Sequence, residues 1–98
     1  MERRREQRFN VELPAMLHRG EDEPRSVLFS QISANGCRLT IGTLNLAVGD
    51  AVELYLGPIG PCIAKVRWSR DRMAGVEFDT ALEPAIVSYF AAFTSDVA

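Results

Sequence analysis

Residues 51–78, AVELYLGPIGPCIAKVRWSRDRMAGVEF, read as three strands separated by two turns, and this stretch decides the fold. In its first six residues Val52, Leu54 and Leu56 alternate with Ala51, Glu53 and Tyr55, the period of a strand with one buried face. The Gly57-Pro58-Ile59-Gly60-Pro61 connection opens a long strand through Trp68. Arg70-Asp71-Arg72 turns the chain, and residues 73–78 form a last strand with Val76 and Phe78 on one face. The same rhythm runs upstream. Residues 10–18 alternate Val11, Leu13, Ala15 and Leu17 with more polar neighbours, and Pro14, which cannot donate to a ladder, predicts an edge or a bulge there. Residues 19–24, with Gly20 and three acids, are a solvated loop. A second strand is expected over 25–32 and a third over 37–41, joined by Ser33-Ala34-Asn35-Gly36, whose Asn-Gly pair tolerates positive φ. Gly49-Asp50 makes a further turn. Short strands at such regular spacing belong to a sandwich or a barrel.

After residue 80 the period changes. Leu82, Ile86, Phe90 and Phe93 are spaced four, four and three apart, the stripe of an amphipathic helix expected over about 83–95. Thr80 and Glu83 fit a capping box, but Pro84 would then lie too far in, so Pro84 is read as the first helical residue. The resulting picture is a small β-barrel closed or flanked by one C-terminal helix.

The chain of 98 residues has room for one domain and one core, and its 47% apolar and 24% charged content is that of a globular protein. No apolar run approaches the roughly 20 residues a membrane-spanning helix needs, so no membrane insertion is expected. The N-terminus, MERRREQRF, lacks the apolar centre of a secretory signal, and a cytoplasmic location is the expectation. Cys37 and Cys62 are too few for a disulfide framework and read as small buried residues. His18 stands alone at a strand end, no metal-ligand spacing appears, and Glu21-Asp22-Glu23 read as loop. Phosphate-loop and nucleophile-elbow motifs are also missing. These features point to binding rather than catalysis. Net charge is −2, yet Arg3, Arg4, Arg5 and Arg8 crowd the N-terminus and leave an acidic body. That distribution opposes a DNA- or RNA-binding barrel and confines anion binding to the arm.

Two features far apart in sequence form a pair. Arg4-x-x-x-Arg8 precedes the first strand, and Gln31-Ile32-Ser33-Ala34-Asn35-Gly36 follows the second. Together they resemble the signature of the PilZ family of bacterial cyclic di-GMP receptors, R-x-x-x-R on an arm and [D/N]-x-S-x-x-G on a barrel. The likeness extends through Asn35-Gly36-Cys37-Arg38-Leu39, Val48-Gly49-Asp50-Ala51-Val52, Val66-Arg67-Trp68 and Ala74-Gly75-Val76-Glu77-Phe78, nearly the whole chain.

The resemblance implies a mainly β fold, a small six-stranded antiparallel β-barrel with a C-terminal α-helix. Residues 1–9 would be a flexible basic arm and residues 10–98 the barrel domain. It implies a cytoplasmic bacterial receptor for cyclic di-GMP that signals to a downstream protein and needs no cofactor or metal. The ligand would be held by Arg4, Arg8, Gln31, Ser33 and Gly36, with Arg3, Arg5 and Asn35 as accessory contacts. Guanidinium groups suit it, since they grip phosphate oxygens and the guanine O6/N7 edge and stack on bases. Gln31 departs from the family's Asp or Asn: it is longer than either and lacks the Asp charge, a change expected to weaken affinity by about 1 kcal/mol. An adaptor of the same fold that binds a protein and no nucleotide is the alternative. Trp68 reads as core or rim packing, and Tyr89, Phe90 and Phe93 as the helix face on the barrel.

Overall fold

The computed structural model describes residues 7–94. Six antiparallel strands, β1 (Leu13–His18), β2 (Arg25–Ser30), β3 (Gly36–Thr40), β4 (Ala51–Leu56), β5 (Ile59–Arg70) and β6 (Met73–Phe78), precede helix α1 (Pro84–Ala91). They close into a barrel in the order β1-β2-β3-β6-β5-β4, as the resemblance implies. The alternation read from 51–78 is kept: Val52, Leu54, Leu56, Ala64, Val66, Val76 and Phe78 fill the interior. No helix among the described residues is long and apolar enough to cross a membrane.

The strand ends depart from expectation where pairing, not pattern, decides them. β1 begins at Leu13 rather than residue 10. Leu13 pairs with Phe29, while Phe9 pairs with Ile32, so residues 10–12 face only 30–31 and the register slips by one. β2 ends at Ser30 rather than residue 32 because Gln31 has φ 51°, a left-handed conformation that interrupts an extended strand. Neither Asn35 nor Gly36 adopts the positive φ expected of their turn. Gly36 instead opens β3 opposite Glu77, where a Cβ would collide with the Val76 carbonyl. β5 starts at Ile59, upstream of Pro61. A bulge sets Gly60 and Pro61 against Tyr55 alone, which accommodates a residue with no N–H. Pro14 lies opposite Leu28 in the part of β1 that pairs with β2 only, since pairing with β4 begins at Met16.

Helix α1 starts on Pro84, with Glu83 as an N-cap that makes no side-chain bond. It ends at Ala91, short of the expected 95. Beyond it the Phe93 and Thr94 amides donate to carbonyls three residues back, and the Thr94 hydroxyl donates to Ala91 O at 2.6 Å. Residue 95 lies outside the described residues. Phe90 plugs the barrel, edge-on to Phe29 at 5.3 Å between ring centroids, with Leu82 and Ile86 packed beside it. Phe93, expected on the buried stripe, falls beyond the helix end and is 47% exposed. It meets Tyr89 edge-on instead.

Away from the helix, Arg19 ties two loops together. Its guanidinium donates to Asn45 O at 2.7 Å, to Asp22 at 3.0 Å and to Asp50 at 3.1 Å. Asp22 is thus committed to Arg19, in keeping with a loop role for the acidic triplet. The Ala47 N–H and then Arg19 hold the Asp50 carboxyl below the usual carboxylate range.

Phe90→Ala should lower unfolding stability by about 3–5 kcal/mol, read from urea denaturation, because it empties the contact between helix and barrel. A second expectation concerns acid. A depressed folded pKa contributes stability above the unfolded pKa that is lost as pH falls through the folded one. Asp50→Asn should therefore lower the melting temperature at pH 7 and flatten its decline below about pH 4.

Candidate functional site

A cleft of about 390 Å³ opens on the barrel wall between residue 8, the 31–36 connection and strands β3, β5 and β6. Its size is at the lower end for a small-molecule site. Every described residue of the expected site lines it: Arg8, Gln31, Ser33, Asn35 and Gly36. Arg3, Arg4 and Arg5 lie outside the described residues.

The connection is held by Ser33. Its amide donates to Gly36 O at 2.9 Å, and its hydroxyl donates to the same oxygen at 3.3 Å and accepts from the Asn35 amide at 3.3 Å. Ser33 is 2% exposed, so its hydroxyl shapes the loop beneath the cleft surface. Further along, the Phe78 amide donates to Asn35 O and the Leu82 amide to Ala34 O, which seats the loop on β6 and on the approach to α1. Gln31 Nε2 donates to Asn10 Oδ1 at 2.8 Å. On the other side of the loop, Phe9 and Ile32 exchange backbone hydrogen bonds of 2.8 and 3.0 Å. Phe9, counted from sequence with the arm, is thus fastened to the barrel, and Arg8 beside it reaches the cleft.

The opposite wall holds residues that the motif reading passed over. Arg38 alternates with the buried Cys37 and Leu39, so it faces outward, and it pairs in register with Gly75. Its Nε is buried with no hydrogen-bond partner among the described residues, a donor that a phosphate oxygen or guanine O6 would satisfy. In β5 the register shifts between Val66 and Trp68, leaving Arg67 as the extra residue. The bulge breaks the alternation, and Arg67 and Trp68, adjacent in sequence, both line the cleft. The Trp68 ring lies where a Gly75 Cβ would be, with the Arg70 guanidinium 4.9 Å from its centroid. Trp68 is therefore rim packing, as read from sequence, and cleft wall as well.

Charge in the cleft runs opposite to that of the chain. Arg8, Arg38 and Arg67 line it with one carboxylate, Glu77, which pairs with Arg67 at 3.0 Å. Both members of that pair are exposed, so it contributes little to stability and can be exchanged for another anion. Cys37 also lines the cleft, and burial pushes its thiol pKa up, which favours the neutral thiol. His18 stacks edge-on against Tyr55, outside the cleft. This is a cationic, partly aromatic recess suited to a compact planar anion. The outward Arg38 was legible in the β3 alternation; its meeting with residues of β5 and β6 was not, because strand order in a barrel is not written locally.

Comparison with protein-family models matches residues 2–94 to the PilZ domain. No curated protein matches the chain.

Gly75→Ala should push the Trp68 ring off its seat. Because Trp68 is the only tryptophan, the emission maximum should move to the red, with a loss of stability of about 1–3 kcal/mol. Unchanged emission would show that the ring does not rest on residue 75.

Proposed function

The chain belongs to the PilZ domain family, a family of cyclic di-GMP receptors that bind rather than catalyse, and from that premise we propose that it binds cyclic di-GMP in the cleft. One observation carries the reading: Arg8 of the arm and the 31–36 loop meet Arg38, Arg67 and Trp68 around one recess. In this mechanism Arg4 and Arg8 take the ligand from the arm side, through phosphate oxygens and guanine O6/N7. Arg3 and Arg5 add charge nearby. Arg38 supplies its spare Nε donor, and Trp68 an aromatic wall beside it. Gln31 offers its amide oxygen, while Ser33 and Gly36 act by holding the loop and its approach to β6. Ordering of the arm over the barrel is the output, read by a downstream protein.

The same structure gives the adaptor reading specific support. Gln31 directs its amide nitrogen to Asn10, and the Ser33 hydroxyl makes hydrogen bonds to its own loop. A titration separates the two readings. Cyclic di-GMP should bind the wild type at micromolar concentration or tighter. The Arg4→Ala/Arg8→Ala variant, lacking two charge-assisted contacts, should bind roughly 10²–10⁴-fold more weakly. Absence of heat at high ligand concentration in the wild type would move the adaptor to first place.

A further inference from the structure

Gln31 occupies a costly position. At φ 51° its backbone is left-handed, where Asn and Asp are accommodated far more readily than a longer side chain. What Gln supplies in exchange is reach. Its Nε2 spans the register slip and donates to Asn10 Oδ1 at 2.8 Å. One residue before Asn10 and one after Gln31, Phe9 and Ile32 exchange their two backbone hydrogen bonds, so side-chain and main-chain ties fall side by side. Ile32 is fully buried in the core, which makes it a fixed anchor. Arg8, next along the chain from this double tie, lines the cleft.

We infer that Asn10 is a positioning residue: through Gln31 it clamps the root of the arm to the 31–36 loop and presents Arg8 to the cleft before any ligand arrives. The longer side chain at 31 thereby makes a cleft-lining residue a fastener for the arm as well. A pre-placed Arg8 spares the ligand part of the cost of ordering the chain that carries it. The consequence for affinity rests on the cyclic di-GMP reading above; the clamp itself does not.

Amide hydrogen exchange on the ligand-free protein tests the clamp directly. Protection at the Phe9 and Ile32 amides should fall about three- to ten-fold in Asn10→Ala and in Gln31→Ala, the effect of one hydrogen bond. The double variant should lose no more than either single one, because both remove the same contact. Gln31→Asn separates clamping from general stability: it relieves the left-handed backbone, so the melting temperature should hold or rise while protection at Phe9 and Ile32 still falls. Unchanged protection in the single variants, or losses that multiply in the double, would overturn the clamp.

Titration with cyclic di-GMP then reads the consequence. Asn10→Ala should weaken binding by a similar factor in the wild type and have no effect in an Arg8→Ala background. Equal affinity of Asn10→Ala and wild type would overturn the presentation of Arg8. A wild type that binds no cyclic di-GMP but shows the exchange pattern would refute the receptor reading and leave the clamp in place.

Discussion

The carbonyl of Val76 lies where a Cβ on residue 36 would have to be, so β3 and β6 come together there only because residue 36 is glycine. This contact is one of two seams, the other being β1–β4, that join the first three strands to the last three and close the barrel. Its register, Gly36 opposite Glu77 and Arg38 opposite Gly75, also places the 31–36 loop beside the bulged segment of β5. A bulkier residue at 36 would force backbone against backbone, with no flexible side chain to give way. The glycine of the binding signature is thus, in this chain, first a condition for forming the site's two walls.

Breaks in regular pairing then create the surface. An unbroken barrel presents every second side chain outward, which spaces polar groups evenly and leaves no recess. Here the β5 bulge brings Arg67 and Trp68 out together. The slip between the Phe9–Ile32 and Leu13–Phe29 pairs turns Gln31 out of the strand and across to Asn10. The buried neighbours of these irregular positions, Val66, Ile32 and Ala74, keep them in place. Regular core and irregular rim are two parts of one arrangement: the first supplies stability, and the second supplies side chains that converge.

Electrostatics follows the same division. The chain carries net charge −2, but the cleft gathers three guanidinium groups and one carboxylate. The acids are placed elsewhere. Asp22 and Asp50 hold Arg19, and Asp79 faces Lys65 at 3.6 Å across exposed surface. Helix α1 has no acidic side chain in its first turn and no basic one in its last, so its docking rests on Phe90 and its apolar neighbours. The apolar contact keeps that helix in place without help from charge.

Local pattern was enough to determine the strands, the helix start at Pro84, the alternation that fills the core and the pairing of Arg8 with the 31–36 loop, which share the cleft. These depend on interactions between near neighbours: side-chain period, the missing proline N–H, the first-turn preference of proline. The tertiary structure alone decided the strand ends, the short helix and the left-handed Gln31. It also decided the role of Gly36, read from sequence as a turn residue and found to be a point of backbone approach. Arg38, Arg67, Trp68 and Glu77 line one cleft because β3 pairs with β6, far along the chain. No local preference encodes that meeting. It follows from closing a barrel, where the partner of each strand is chosen by the burial of all six at once.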